Sequence, residues 1–443
     1  MASFDFTPLS SSNELDGRFA NPSINDTGTV TYEGFEGVCT TVGGDCLQTG
    51  TNTPPNAIYT TTSDGLTTKV VDRSSYDGFS GYNSGVFFSA STNNSGTTVS
   101  AASGFNSGQL IAGGPSAVIT RTDNGPINNV AYSGTTFGIN LINPAAGFTD
   151  TGNLAAAGEF ASAPSINNAG TVAYIAGHDG TVSLYTKTSY GTTTTIADTS
   201  ANSNLKDFYL GGVDVQRGKG PFAAYTLPGL NDQGTVAFNA DLKSGGKGIF
   251  SGNGGTLTTI ADTTSGQFTK FSVASSNNNG QVAFDAGLAD GGSALYISQG
   301  GKLTTLADTN GLFKDLTKSD VALNQKGQVA FLADLDNGTT AIFDGPDPIA
   351  NKVISVGDKF GDYTVQALFI SHDGLNDAGQ IAFDATIVDG NGNVTEQIFR
   401  ADPNANPTPV PEPSSIPLLG VAILGMVAYR WRRRKQFAKQ VQH

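Results

Sequence analysis

Charge is scarce in this chain. Only 14% of its 443 residues are Asp, Glu, Lys or Arg, too few for a charged disordered polymer. Long Ala/Leu/Glu/Lys windows, the material of exposed helices, do not occur before the last thirty residues. There are two cysteines and three histidines, and two cysteines alone do not make a zinc site. The nucleophile elbow Gly-x-Ser-x-Gly, the phosphate loop Gly-x4-Gly-Lys-Ser/Thr and the zinc-protease motif His-Glu-x-x-His are all missing. No catalytic residue can be assigned from the sequence.

What fills the space is glycine, 57 residues of it, with abundant Thr, Ser, Asn and Ala. Short runs of Val, Ile, Phe, Tyr and Thr alternate with Gly/Asn/Asp punctuation, which predicts an all-β chain. The runs recur. A unit opens with Asn-x-x-Gly and continues into Val-Ala-Phe or a close variant, at Asn25, Asn167, Asn231, Asn277, Asn324 and Asn376. The last four start 46, 47 and 52 residues apart, and the 64 residues from Asn167 to Asn231 imply an insertion around Gly211–Pro221. Asn caps a tight turn and Gly supplies its positive φ.

Each unit then shows an apolar pair (Ile58-Tyr59, Leu184-Tyr185, Ile249-Phe250, Leu295-Tyr296, Ile342-Phe343, Ile398-Phe399). A Thr-rich strand follows, ending in Ala-Asp-Thr at Asp198, Asp262 and Asp308, with looser versions at Thr68–Asp72 and Val353–Asp358. A fourth strand leads to the next Asn. A four-stranded meander of about 47 residues cannot bury its apolar faces alone, so copies must stack, and radial stacking gives a β-propeller. The expectation is about seven four-stranded blades. The last unit lacks its Thr-rich strand, and Ser3–Ser10 stands where that strand belongs, so the N-terminal strand closes the ring. Between Asn25 and Asn167 the repeat is degenerate; Gly85–Phe88 and Asn129–Tyr132 are the candidates for its Val-Ala-Phe strands. The repeat resembles a bacterial tandem-repeat family named for its NxxGxxAF motif, whose members carry various surface-anchoring tails; the resemblance transfers no catalytic residue.

Several residues invite a functional reading. Asp198, Asp262 and Asp308 would bind Ca2+ only if they converged on the central channel; otherwise they cap strand-end turns, the reading adopted here, with no cofactor assigned. His178-Asp179-Gly180 and His372-Asp373-Gly374 occupy different places in the repeat, so they are read as loop residues and not as an acid–base pair. The polar segments 40–55, 93–114 and 211–221 break the repeat and are the places for a ligand contact.

The C-terminus is different in kind. Val410-Pro411-Glu412-Pro413 precedes an apolar stretch from Ile416 to Tyr429, then Arg430, Arg432, Arg433, Arg434 and Lys435 around Trp431. A short transmembrane helix with a cytoplasmic basic stop fits this order, its flanking arginines snorkelling. The segment closely resembles the PEP-CTERM sorting signal of Gram-negative bacteria. That resemblance implies export, recognition and cleavage near Pro-Glu-Pro by an exosortase, and a mature surface or matrix protein. A route of this kind calls for a secretory leader, and Met1–Phe6 has neither a basic nor an apolar region; the expectation is a missing N-terminal segment, through a start site set too far downstream or a truncated sequence, with export by another route as the alternative. Three segments follow: 1–401 the propeller, 402–413 a Pro-rich linker, 414–443 the membrane anchor. In an exported protein Cys39 and Cys46, with six residues between them in a Gly-rich insertion, are expected to form a local disulfide; two free thiols are the alternative.

Residues 402–443 carry six basic and two acidic residues, leaving 18 basic against 36 acidic, a net charge of −18, on the remainder. Such a body repels phosphate backbones, so nucleic acid is not a partner. The resulting expectation is a non-enzymatic binding or scaffold protein of the extracellular matrix or cell surface, with polysaccharide as ligand class. The alternatives are a propeller enzyme acting on glycans, which needs two converging carboxylates, and a calcium-stabilised structural module.

Overall fold

The computed structural model describes residues 4–10, 19–34, 39–42, 45–48, 57–72, 75, 84–105, 116–122, 125–133, 161–178, 181–188, 191, 193–208, 228–318 and 320–404. They form a seven-bladed β-propeller within the compact unit Ala2–Pro403. Blade 1 consists, from the inside outward, of Phe19–Ile24, Val30–Gly34, Ala57–Thr61 and Thr67–Asp72. Blade 2 runs Ser84–Thr92, Thr97–Phe105, Ser116–Thr122 and Asn128–Ser133. Blade 3 runs Ala161–Ile166, Thr171–His178, Thr181–Thr188 and Thr193–Asp198.

In blades 4 to 6 the inner strand is split. Leu205–Phe208 and Gly229–Leu230 line Val236–Leu242, followed by Lys247–Gly252 and Thr258–Asp262. Phe268–Phe271 and Ser275–Ser276 line Gln281–Leu288, Ser293–Gln299 and Lys302–Asp308. Phe313–Asp315 and Ala322–Leu323 line Val329–Leu335, Thr340–Phe343 and Lys352–Ser355. The expected insertion of blade 4 falls inside its split inner strand, and residues 209–227 lie outside the described set.

Blade 7 closes the ring. Tyr363–Phe369, Ile381–Val388 and Val394–Pro403 are joined by Phe4–Pro8, antiparallel to the last of these with Phe4 opposite Pro403 and Pro8 opposite Phe399. The N-terminal strand is therefore the missing outer strand. Phe6 packs edge-on against Phe360 and Phe383, with ring centroids 5.0 and 6.1 Å away. Ser10 Oγ accepts the Ile398 N–H at 3.0 Å.

The core is not one mass. Seven apolar clusters each bridge one pair of neighbouring blades, from Ile58/Val71 against Phe87/Ile119 between blades 1 and 2 round to Ala382/Ile398 against Val30/Tyr32 between blades 7 and 1. This is the physical reason for closure: each sheet buries its two faces only on its neighbours. Within a blade, the aromatic of Val-Ala-Phe sits directly opposite the second residue of the apolar pair. Tyr32–Tyr59, Phe284–Tyr296, Phe331–Phe343 and Phe383–Phe399 stack at 5.5–5.9 Å. A bulge interrupts the register between the two residues of that pair in blades 1, 3, 4, 5 and 6, twisting each outer edge.

The degenerate third is placed differently from expectation. Gly85–Phe88 belongs to the inner strand of blade 2 and Asn129–Tyr132 to its outer strand. The turn is at Asn93, followed by Thr98-Val99-Ser100 where other blades have Val-Ala-Phe. The hydroxyl of Thr98 bonds that of Thr92, which bonds Thr31 of blade 1, so a buried hydroxyl chain replaces apolar packing there. A single blade separates Asn25's from Asn167's, as a ring of seven requires.

Candidate functional site

Two hydrogen-bond circuits close around one mouth of the channel. In the first, each turn asparagine donates its side-chain N–H2 to the backbone carbonyl of the next: Asn25 to Asn93 (2.9 Å), Asn93 to Asn167 (3.1 Å), Asn167 to Asn231 (2.8 Å), Asn231 to Asn277 (3.1 Å), Asn277 to Asn324 (3.0 Å), Asn324 to Asn376 (3.0 Å) and Asn376 back to Asn25 (2.9 Å). The Oδ1 of the same residue stays at home; that of Asn25 accepts the N–H groups of Thr27 (3.1 Å) and Thr29 (3.0 Å). Capping alone would accept Asp or Ser. Only Asn supplies the acceptor for its own turn and the donor for its neighbour. The turn glycines, Gly28 through Gly379, all lie at φ between 72° and 79°, a region other residues occupy at a cost.

The second circuit uses the following residue. The backbone N–H of Asp26 goes to Asn94 Oδ1, then Asn94 to Asn168, Asn168 to Asp232, Asp232 to Asn278, Asn278 to Gln325, Gln325 to Asp377, and Asp377 to Asp26, at 2.6–3.0 Å. Sequence reasoning missed this position, although every copy there carries a side-chain oxygen and none is apolar. Burial raises the Asp377 carboxyl above the usual range, with the Asp26 and Asp232 charges adding to the rise.

A second set of polar groups lies inside the blade seams. Eight residues after the turn asparagine stand Glu33, Asn239, Asp285 and Asp384, all buried at 1–7% exposure. Asn239 reaches the inner strand of blade 5, donating to Ser272 O (2.7 Å) and accepting from Ala274 N–H (3.3 Å). Glu33 accepts from Asn21 Nδ2 (2.9 Å) and from Ser89 N–H of blade 2 (2.7 Å). Among the described residues those two donors are the non-glycine residues of left-handed φ, 51° and 53°, so the carboxylate holds a strained bulge in each inner strand. Burial pushes the Glu33 carboxyl up to about 7 against both hydrogen bonds. Cations also cross seams: Arg400 of blade 7 grips Asp402 (2.9 and 3.1 Å) and donates to Gly28 O of blade 1 (3.2 Å), and Lys187 of blade 3 donates to Val130 O of blade 2 (3.1 Å).

The aspartates weighed as calcium ligands sit at the ends of outer strands and bond locally. Asp198 Oδ1 accepts from Ser200 N–H, Asp262 Oδ1 from Ser265 N–H and Asp308 Oδ1 from Asn310 N–H, at 2.9–3.0 Å. Among the described residues no three His, Cys, Asp or Glu side chains converge as metal ligands. His372 lies in the turn before the second strand of blade 7, and its side chain is buried there, 3% exposed, in the seam facing Asp320, with Nε2 3.1 Å from Asp373 Oδ1. The side chains of His178, Cys39 and Cys46 lie outside the described set. The strands Cys39–Val42 and Asp45–Gln48 form a hairpin with Thr41 opposite Cys46. The sorting motif Val410–Pro413, the apolar segment and the basic stop also lie outside it; among the described residues no helix is long and apolar enough to cross a membrane.

Comparison with known proteins adds family but no activity. A luciferin-regenerating enzyme is 9% identical and covers 91% of this chain and 96% of its own, with a TM-score of 0.33. A protein of unknown function from Dyadobacter fermentans is 10% identical over 90% of this chain and 98% of its own, TM-score 0.39. The Aleuria aurantia lectin is 10% identical over 73% and 96%, TM-score 0.33. No curated protein matches the chain. Residues 409–434 match the PEP-CTERM protein-sorting motif, which marks the protein for export and sorting to the envelope surface of a Gram-negative bacterium and for exosortase-type processing. Residues 12–300 match the model of a family of unknown function (DUF7453), and the chain belongs to that family.

Proposed function

We propose that this exported propeller is a non-enzymatic binding and scaffold protein of the cell surface or extracellular matrix, with polysaccharide as its ligand class. The observation that carries the non-enzymatic part is where the carboxyl groups lie. Glycoside chemistry needs two of them flanking a bound sugar in an accessible cleft. Glu33, Asp285, Asp320 and Asp384 are instead enclosed between blades at 1–7% exposure, where no polymer reaches. At the described mouth of the channel, one side-chain oxygen of each of the seven residues of the second circuit is engaged by a backbone N–H group, and the second oxygens of Asp26 and Asp232 accept from Asn94 and Asn278. The sorting tail is what supports the ligand class, and it supports membrane anchoring through 414–443 before processing. The NxxGxxAF resemblance agrees, since that family pairs one repeat body with different surface anchors.

The test is a polysaccharide panel, including the cells' own exopolysaccharide, titrated against the purified protein with reducing ends assayed in parallel. Saturable retention without new reducing ends supports the reading. Reducing ends that accumulate with time and protein concentration would replace it with the enzyme.

A further inference from the structure

Blades 5 and 6 meet over a pair of buried acids. Asp285, on the second strand of blade 5, is 1% exposed, and Asp320, just before the inner strand piece Ala322–Leu323 of blade 6, is 7% exposed. Asp320 reaches back across the seam to the Val273 N–H of blade 5. Asp285 has no such answer. Its backbone N–H goes to Ser272 Oγ at 3.0 Å, and the hydroxyl of that same-blade serine is the polar group beside its carboxyl; no donor from blade 6 reaches either carboxylate oxygen among the described residues. The charged groups facing it are Asp320 and Asp315 of blade 6 and Lys270 of its own blade; Asp320 in turn faces His372 and Asp373 of blade 7. Lys270 is directed outward, its Nζ 2.7 Å from Thr317 Oγ1 at the surface. Asp315 is beside Lys318, at 3.6 Å.

Two ionised carboxylates cannot share a dry seam without a counter-ion. The equivalent position of blade 4 shows the neutral solution: Asn239 occupies it, uncharged and bonded across the seam to Ser272 and Ala274. We propose that the seam between blades 5 and 6 is a proton-operated latch, closed while Asp285 is a neutral carboxylic acid and loosened when it ionises against Asp320. The chemistry is one O–H bond broken, the proton passing to bulk water and the negative charge staying on Asp285. Burial lifts the Asp285 carboxyl well above its ordinary range; the Ser272 hydroxyl offsets part of this, and Asp320 and Asp315 add to it. Burial likewise carries Asp320 up to about 6. The sign follows. A carboxyl raised in the folded state favours folding below its unfolded pKa, and that contribution is lost as pH rises through the folded value. The latch is closed in acid and opens towards alkaline pH. Beyond the cytoplasm the surroundings set that pH.

The test is amide hydrogen exchange of the full-length protein between pH 5.5 and 8.5, read on Phe268–Phe271, Gln281–Leu288 and Phe313–Asp315 with Asp285→Asn at the same pH as reference, which cancels base-catalysed exchange. Asp285→Asn has a precedent in Asn239, and Asp320→Asn is the second variant if the first does not fold. Opening of the wild-type seam relative to the variant should rise by up to about tenfold per pH unit for one released proton. The strands of blade 3 should show no such difference. Equal profiles for wild type and variant overturn the latch. So does stabilisation at pH 8 by millimolar Ca2+, reversed by EDTA and lost in Asp285→Asn, because the pair would then hold a cation instead of a proton.

Discussion

The turn asparagine works in two directions at once, and that sets what can replace it. Asn231→Asp keeps the acceptor for Gln233 and Thr235 N–H groups but loses the donor to Asn277 O, placing a carboxylate 3.1 Å from a carbonyl oxygen. We expect a loss of about 1–3 kcal/mol, measured by urea unfolding; an unchanged midpoint would mean that the circuit contributes nothing. The cap was readable from Asn-x-x-Gly, because a turn is local. The donor was not, because its partner lies 46 to 74 residues on, or 351 across the closure. Glu33 was missed for the same reason. Nothing near it in sequence distinguishes a buried seam carboxylate from a solvated strand residue. Its carboxyl is raised to about 7 by burial, so its contribution to stability is present below about 4.5 and is lost as pH rises through about 7. Glu33→Gln should therefore be more stable than wild type at pH 8 and show a flatter midpoint against pH between 5 and 8. A parallel pair of profiles in thermal melts would refute this.

At the scale of elements, period and pairing were legible wherever the aromatic pair is intact. Phe238, Phe284, Phe331 and Phe383 each face an aromatic one strand away, and that cross-strand match is what makes the copies recognisable in the sequence. Blade 2 was illegible because Ser100, opposite Ile119, stands in the aromatic's place. Its neighbour compensates in hydroxyls, at Thr31. The N-terminal strand was legible by subtraction, since one blade was short of a strand and the chain began with a spare. Removing residues 1–8 leaves Val394–Pro403 as an open edge and uncovers the cluster on which Phe4 and Phe6 pack. Unpaired edges recruit other strands, so the truncated protein is expected to associate, seen as a concentration-dependent rise in mass by light scattering. A monomer at all concentrations would show that the clasp is dispensable.

At the scale of the whole molecule, the seven apolar clusters have no boundary at which the ring could divide. Each blade shares its buried surface with both neighbours, so losing one exposes two clusters. Thermal unfolding of the propeller should be a single transition with calorimetric and van't Hoff enthalpies in agreement, and Asn231→Asp should lower that one midpoint rather than split off blade 4. Separate transitions would contradict this picture. Blade number could be estimated from the spacing of the copies, but closure at seven depends on how the seams pack, which no spacing encodes. The asparagine circuit has one more implication, for ancestry. Every turn offers the same hand forward and the same grip behind, so any copy is chemically able to follow any other. Recombination among the copies would preserve the handshake as long as each newcomer brings its asparagine, while the rest of the blade is free to drift as far as the second one has.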